Sequence, residues 1–175
     1  MESRRWGVRG AGWIAPTFAR DLSYAYDGVV LSVGVRTQKS ADQFDEAFDI
    51  PRRRGSYAAL VVDPDVEAVH VVTPLSPHAE HARMALEHGN HVPVDKTLTM
   101  NADEPRSVVA VSRSRNHVAT EAMWTRLFAH VVTLRDLWAD GVLDTVVMLH
   151  ADHGSWFERE PTSRLFAPEL GGRTT

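Results

Sequence analysis

The sequence predicts an α/β fold, a doubly wound parallel sheet followed by the start of an incomplete α+β unit. Short apolar runs alternate with segments of helical periodicity up to about residue 122, and this alternation is typical of parallel strands joined by crossover helices. A glycine-rich turn joins the first of these runs to the first helical segment. After Trp124 the pattern changes, so we place a boundary near Ala122, which gives units of residues 1–122 and 123–175.

The first unit is predicted to alternate five strands with five helices. Ile14, Phe18 and Leu22 recur four residues apart and form the buried stripe of the first helix. Residues 29–35 are almost entirely apolar, as in a strand that helices cover on both faces. Ser40 is expected to cap the second helix. The predicted strands are 5–10, 29–35, 68–72, 91–94 and 118–121, and the predicted helices are 13–22, 40–50, 57–62, 78–88 and 101–115, the last capped by Asn101.

The second unit has fewer recognisable elements. Residues 145–152 are predicted to form one strand, and a single amphipathic helix precedes them. A lone strand leaves its N–H and C=O groups without partners. We therefore expect the chain from about Asp144 onward to be mobile, or to become ordered only by pairing with another chain as a homo-oligomer. The predicted helix buries the residues Leu127, Val131, Leu134 and Leu137.

Composition excludes several classes of protein. With 19 Lys and Arg against 23 Asp and Glu, the net charge is -4, and the scattered basic residues lack the charge pattern of a nucleic-acid binder. We interpret Arg52-Arg53-Arg54 as a solvated loop rather than a phosphate-binding patch. The chain has no cysteine, which excludes disulfides. No apolar run approaches the roughly 20 residues of a membrane span and no signal peptide is visible, so we expect a cytoplasmic protein without membrane partners.

The glycine-rich turn, Gly10-Ala11-Gly12-Trp13-Ile14-Ala15, is a G-x-G-x-x-A motif. In a Rossmann-type fold the first glycine allows a tight turn, the second lets a pyrophosphate approach the backbone, and the small last residue lets the helix pack on the strand. Free N–H groups at the helix start favour the phosphates. The motif therefore predicts a dinucleotide site that includes Gly10, Gly12, Trp13 and Ile14. Arg9, directly before it, would be buried in a central strand and needs either a partner or a route to solvent.

The tip of the second strand bears on which dinucleotide is bound. An acidic residue here binds the ribose 2′-hydroxyl of NAD, but the sequence continues Val35-Arg36-Thr37-Gln38-Lys39. Arg36 can instead pair with the 2′-phosphate of NADP. We therefore predict NADP as the cofactor; NAD remains open, since Arg36 has the alternative of being an exposed loop arginine.

Several further segments occur in a characteristic order. They are Thr73-Pro74-Leu75-Ser76-Pro77-His78-Ala79-Glu80-His81-Ala82, His91-Val92-Pro93-Val94-Asp95-Lys96-Thr97, Glu121-Ala122-Met123-Trp124-Thr125-Arg126, and Ser163-Arg164-Leu165-Phe166 through Gly171-Gly172. Together with the opening Arg5-Trp6-Gly7-Val8 and the glycine loop, these segments resemble the Gfo/Idh/MocA family of oxidoreductases, especially its dihydrodiol and sugar dehydrogenase branch. The resemblance extends over nearly the whole chain.

This resemblance implies an oxidoreductase that uses a nicotinamide cofactor on a CH–OH group of a sugar-like or diol substrate. The family lysine that corresponds to Lys96 lies beside the nicotinamide and the substrate and takes part in proton transfer. Asp95 precedes it in the same segment and is placed in the cofactor site with it. By the same resemblance the Thr73-Pro74 loop contacts the nicotinamide ribose, and Trp124 and Arg126 lie near the cofactor or the substrate.

The chain also departs from the family pattern. Asp95 replaces a glutamate, and Thr97 replaces a proline that fixes this loop in the family, often through a cis peptide, which costs about 2.5–4 kcal/mol outside proline. The family continues past the glycine pair into a segment with further catalytic residues, whereas this sequence ends at Thr175. We therefore expect little turnover. The alternative is a non-catalytic dinucleotide-binding module or a truncated gene product.

Nine histidines raise the question of a metal site. His78 and His81 lie three residues apart, but the spacing is not H-E-x-x-H and no third ligand is evident, so we predict no metal. We place His78 in the cofactor loop, with a structural role at a helix start as the alternative. A methyltransferase can also use a glycine loop after its first strand, but the Lys96 segment and residues 121–126 favour an oxidoreductase.

Overall fold

The computed structural model describes residues 3–152, 154–162 and 165–167. Six strands form one sheet in the order β3-β2-β1-β4-β5-β6, and all neighbouring strands are parallel. The elements in chain order are β1 (Arg4–Arg9), α1 (Ile14–Leu22), β2 (Gly28–Gly34), α2 (Gln38–Phe48), β3 (Arg52–Arg54), α3 (Tyr57–Val61), β4 (Ala68–Val71), α4 (His78–Glu87), β5 (Val92–Val94), α5 (Asp103–Arg115), β6 (Ala119–Glu121), a 3-10 helix (Trp124–Leu127) and α6 (Ala129–Ala139).

The strand order changes direction beside β1. The chain starts there, runs outward to β3, and then crosses back to place β4 on the other side of β1. At such a switch point the loops that leave neighbouring strands diverge, which opens a crevice at the carboxyl ends of the strands. The predicted glycine loop follows β1 directly and therefore lies at this crevice.

Two clusters of buried apolar side chains cover the two faces of the sheet. One joins α1 and α2 to the first strands and includes Val8 and Phe44, whereas the other joins α3, α4 and α5 to β4 and β5 and includes Leu60 and Leu86. Successive residues of β1 face the two different clusters. A Cβ added at Gly7 would lie 3.0 Å from the Leu60 side chain, whereas the neighbouring Val8 packs in the cluster that contains Phe44. The doubly wound sheet predicted for the first unit is confirmed.

The ends of the predicted elements in this unit differ from the observed ones by one or two residues. Asn101 acts as the expected cap, since its Oδ1 accepts hydrogen bonds from the N–H groups of Asp103 and Glu104 at 3.0 and 3.1 Å. Ser40 does not cap α2, which begins two residues earlier. Its own N–H donates instead to Oγ1 of Thr37 at 3.3 Å.

The interpretation of residues 52–54 as a solvated loop is wrong. These residues form β3, the edge strand that pairs with β2. Arg52 and Arg54 both bind the carboxylate of Asp63, whose side chain is 1% exposed, and Arg52 also binds Asp65 at 2.6 Å. A carboxylate buried to this extent is costly without charged partners. Arg52 and Arg54 are thus paired with a turn nine and more residues later in the chain, while Arg53 lies 3.8 Å from the carboxylate of Asp42.

The predicted substrate domain is not evident among the described residues. The expected helix exists as α6, but it has no buried residue. The strand predicted over 145–152 is wrong, because no residue from 122 to 152 or from 154 to 162 belongs to a strand that could pair with it. Mobility or chain pairing of this region, and the boundary near Ala122, stay predictions. Most of the segment from Ser163 through Gly172 lies outside the described residues.

Candidate functional site

A cleft of about 600 Å³ opens at the carboxyl ends of the central strands. It runs from the tip of β2 across the loop after β1 to the ends of β4 and β5. The residues that line it come from five separate segments, as expected for the switch point of a doubly wound sheet. They are Gly10, Ala11, Gly12, Trp13, Ile14, Val35, Arg36, Thr37, Ser40, Tyr57, Val72, Thr73, Pro74 and Asp95.

The glycine loop forms the middle of this cleft. Gly10 has a φ of +109°, which side chains rarely tolerate, and a Cβ there would lie 3.0 Å from the carbonyl oxygen of Val72. A Cβ at Gly12 would lie 3.3 Å from the same oxygen. Helix α1 then begins at Ile14 with no acidic residue in its first turn and no side-chain cap. Its first N–H groups therefore face the cleft without a competing carboxylate, which suits a phosphate.

The tip of β2 supplies polar groups at one end of the cleft. Arg36 is exposed and lines the cleft beside Thr37 and Ser40. The hydroxyl oxygens of Thr37 and Ser40 are hydrogen-bonded to each other at 2.9 Å. One guanidinium and two hydroxyls can together bind a phosphate group. Sequence reasoning found Arg36 but missed Thr37 and Ser40 as site residues, although both follow within four positions of it.

Below the glycine loop, Arg9 has the partner that its burial requires. Its guanidinium carbon lies 4.5 Å from the centre of the Tyr57 ring, and its Nη1 lies 3.3 Å from the sulfur of Met84. Burial lowers the pKa of Arg9 to about 10, so the side chain stays cationic at neutral pH. Tyr57 also lines the cleft. Nothing in the sequence pattern marked Tyr57, because its contact with Arg9 depends on how α3 packs on β1.

The opposite end of the cleft is formed by the loops after β4 and β5. Thr73 is buried and Pro74 is exposed, and both line the cleft together with Asp95. The hydroxyl of Thr73 lies 3.0 Å from Nδ1 of His81. Burial, and then the charge of Arg9, lower the pKa of His81 to about 4, so this ring is neutral at neutral pH. The Thr73 side chain is therefore held by an uncharged partner.

Lys96 lies directly after Asp95 but does not line the cleft. Its side chain is exposed, and its backbone N–H donates to Oδ1 of Asp95 at 2.9 Å. The following peptide bond, between Lys96 and Thr97, is cis. One residue further, the N–H of Leu98 donates to Oε1 of Glu121 at 2.8 Å. Glu121, the last residue of β6, thereby fixes the loop that carries Lys96.

Three other predicted site residues lie away from the cleft surface. His78 is 2% exposed at the start of α4, behind the loop that contains Thr73. Trp124 and Arg126 lie in the 3-10 helix, where both side chains are exposed and the Trp124 ring packs against Phe128 at 5.3 Å. The structure thus brings together the glycine loop, Arg36, the loop after β4 and Asp95, and it leaves these three outside the lining.

The comparisons with known proteins agree with this arrangement. Residues 4–123 match the sequence pattern of a family described as "Oxidoreductase family, NAD-binding Rossmann fold", GFO_IDH_MocA. The chain belongs to the Gfo/Idh/MocA family. The match covers all six strands and the whole cleft lining, so residues 4–123 are its NAD(P)-binding Rossmann domain.

Two curated relatives show which branches of the family are similar. An NADP(+)-dependent D-xylose 1-dehydrogenase from Hypocrea jecorina is 33% identical over an alignment that covers 98% of this chain and 49% of that protein. A trans-1,2-dihydrobenzene-1,2-diol dehydrogenase from Bos taurus is 36% identical over 86% of this chain and 45% of its own length. The chain therefore spans about half the length of the curated relatives it matches.

Solved structures give the same result. The crystal structure of a 3-ketoreductase from Actinomadura kijaniata in complex with NADP superposes with a TM-score of 0.73 at 30% identity, and covers 81% of this chain and 45% of that one. A probable dehydrogenase from Thermotoga maritima, at 19% identity and a TM-score of 0.75, shares the fold.

The described part of the chain has neither a candidate membrane span nor a candidate metal site. No helix there is long and apolar enough to cross a bilayer. No group of three or more His, Asp or Glu side chains in the same residues is arranged to hold a metal ion. His78 and His81 instead contact protein oxygen atoms through their ring nitrogens.

Proposed function

We propose that this chain is the cofactor-binding part of an NADP(H)-dependent oxidoreductase that acts on a CH–OH group of a sugar-like or diol substrate. The observation that carries the proposal is the cleft, which joins a side-chain-free glycine loop to a cationic tip at one end and to Asp95 at the other. Family membership supports the class of reaction, and the similarity to a xylose dehydrogenase and a dihydrodiol dehydrogenase supports the class of substrate.

The residues present fit a dinucleotide with a 2′-phosphate. Gly10 and Gly12 leave a space that a Cβ would fill, and the N-terminus of α1 offers N–H donors to the pyrophosphate. Arg36, with the two hydroxyls beside it, would hold the 2′-phosphate. Thr73 and Pro74 would then contact the nicotinamide half. When bound, the nicotinamide supplies the hydride chemistry.

Lys96 is proposed as the catalytic residue. Its ammonium group would donate a hydrogen bond to the hydroxyl of the substrate and favour the alkoxide that precedes hydride loss. Asp95 keeps the Lys96 backbone in place through its hydrogen bond to the N–H, and Glu121 holds the loop two residues further on. Both contacts fix the point from which the flexible Lys96 side chain extends.

A second candidate function is that of a dinucleotide-binding module without turnover. The residues that line the cleft favour this candidate, because all of them lie within residues 10–95. No described residue beyond β6 covers the end of the cleft where we place the nicotinamide. A site without groups positioned around the substrate loses several orders of magnitude in rate. We expect no steady reduction of NADP by this chain with xylose or a trans-diol. Turnover near one per second, followed at 340 nm, would exclude the module.

The preference for NADPH over NADH tests the cofactor site that both candidate functions share. We expect calorimetric titration of the chain to show tighter binding of NADPH than of NADH, and Arg36→Asp to reverse the order by weakening NADPH about tenfold or more, as for a lost charge-assisted contact. Arg135→Asp makes the same charge change at an exposed position of α6 and is the matched control. Tighter binding of NADH by the unmodified chain would show that this assignment of Arg36 is wrong.

A further inference from the structure

The ring of His78 lies between the two loops that bound one end of the cleft. Its Nε2 is 2.8 Å from the carbonyl oxygen of Thr73, and its Nδ1 is 2.9 Å from the carbonyl oxygen of Thr97. Thr73 follows β4 and lines the cleft, while Thr97 follows Lys96 in the loop after β5. One buried side chain therefore contacts the backbone of both loops.

The backbone itself does not join these loops. Strands β4 and β5 are registered through Val71 and Val94, and the N–H of Asp95 donates to the carbonyl oxygen of Val71 at 2.9 Å. Beyond this bond the two chains leave the sheet, and a ladder of backbone hydrogen bonds no longer fixes their separation. The His78 ring is the next connection between them along the direction of the strands.

The chemistry of the ring matches its two neighbours. A carbonyl oxygen accepts hydrogen bonds and cannot donate, so each contact needs an N–H from the imidazole. The doubly protonated ring donates to both carbonyl oxygens, whereas the neutral ring has one N–H and donates to one of them. Two other histidines of this region, His70 and His81, interact electrostatically with His78.

We propose that His78 is a positioning residue that ties the Thr73-Pro74 loop to the loop carrying Lys96, and so sets the width of the nicotinamide end without touching the cofactor. This inference rests on the proposed function, because it assigns the nicotinamide to that end of the cleft. It combines the placement of His78 in the cofactor loop with the structural role at a helix start that the sequence left as the alternative, since the buried ring is not among the residues that line the cleft.

The two ends of the cleft should respond differently to the loss of this ring. Arg36 and Thr37 follow β2, which is separated from β5 by β1 and β4, a distance of about 14 Å at the usual spacing of strands. A fragment of the cofactor that reaches only one end of the cleft can therefore be used to test the two ends separately. The compound 2′,5′-ADP contains the adenosine, the 2′-phosphate and one 5′-phosphate but no nicotinamide, so it reports on the β2 end alone.

The experiment compares NADPH and 2′,5′-ADP by isothermal titration calorimetry on the full chain. We expect His78→Ala to raise the Kd of NADPH by about tenfold or more, as for one to two lost hydrogen bonds, and to leave the Kd of 2′,5′-ADP within about twofold. His88→Ala is the control, because this exposed histidine lies at the other end of α4, where its Nδ1 is 2.7 Å from the carbonyl oxygen of Met84 in the same helix.

Two conservative variants keep the test decisive if His78→Ala does not fold. His78→Asn retains a donor near the place of Nδ1, and His78→Gln retains one near the place of Nε2, so each should keep one of the two loop contacts. We expect both to weaken NADPH binding less than Ala does and to spare 2′,5′-ADP. This partial rescue is not expected if His78 only fills space in the core.

The outcomes separate this inference from the proposed function. Equal weakening of both ligands by every folded variant, or no weakening of either, would overturn the positioning role while the unmodified chain still binds NADPH. Failure of the unmodified chain to bind NADPH or NADH at millimolar concentration would overturn the proposed function, and the role of His78 with it.

Discussion

Helices α4 and α6 are of similar length, yet the chain uses them differently. Six residues of α4 are buried, whereas α6 buries none and exposes Leu134, Leu137 and Trp138. The difference is the sheet: α4 packs on β4 and β5, while α6 contacts chiefly the 3-10 helix before it. An apolar stripe in the sequence therefore predicts a helix, but the stripe becomes buried only where another layer of the fold packs against it.

The largest expected effect contrasts one leucine from each helix. Leu86→Ala removes a fully buried side chain of α4 and should lower the free energy of unfolding by about 2–5 kcal/mol. Leu137→Ala, in α6, should change it by less than about 0.5 kcal/mol, as usual for exposed positions. Urea denaturation followed by tryptophan fluorescence measures both. Equal losses would show that α6 is packed in solution.

Gly12→Val tests whether a change in the glycine loop can abolish cofactor binding without lowering the stability of the first unit. The branched side chain would occupy the space in which we place the pyrophosphate, and the loop lies outside both apolar clusters. We expect the Kd of NADPH to rise by at least about a hundredfold, or about 2.7 kcal/mol, with the thermal midpoint nearly unchanged. Unchanged affinity would remove the glycine loop from the site.

Acid should act on the first unit through His70. This ring is 5% exposed against Phe18, and burial lowers its pKa to about 4. Because the unfolded chain binds a proton near pH 6.5, stability should fall as the pH drops from about 6.5 to 4, by up to about 1.4 kcal/mol per pH unit for this group. His70→Leu should reduce the pH dependence of the unfolding free energy over this range without removing it, because the pKa of His81 is also lowered to about 4, and His150→Leu, at an exposed position, should leave it unchanged. A curve unaffected by His70→Leu would contradict the prediction.

The smallest effect is expected from removing the residues after α6. Limited proteolysis should begin after about residue 140 and leave an N-terminal fragment that binds NADPH with the affinity of the full chain. The unfolding free energy of that fragment should differ by less than about 0.5 kcal/mol, because residues 141–152 and 154–162, which it lacks, are all exposed. A C-terminal region as resistant as the first unit, in a monomeric chain, would contradict the expected mobility.

The sequence predicted the first unit well because local and tertiary preferences agree there. Strand 29–35, the glycine loop and the Asn101 cap each follow from patterns a few residues long. Prediction failed where the decisive partner is distant in sequence, as for residues 52–54, whose strand depends on Asp63, and for Tyr57, whose place in the cleft depends on Arg9. It also failed for 145–152, where an apolar pattern has no neighbouring strand in the part of the chain that the structure describes.

The composition of β3 has a consequence for how copies of this protein behave together. An open sheet ends in strands whose outer N–H and C=O groups can recruit another chain, and long apolar edges of this kind lead to aggregation. Here the edge is three residues long and consists only of arginines. Adding a second β3 would place three more arginines beside side chains whose carboxylate partners are already bound, so this short edge should disfavour pairing with a neighbouring molecule at high concentration.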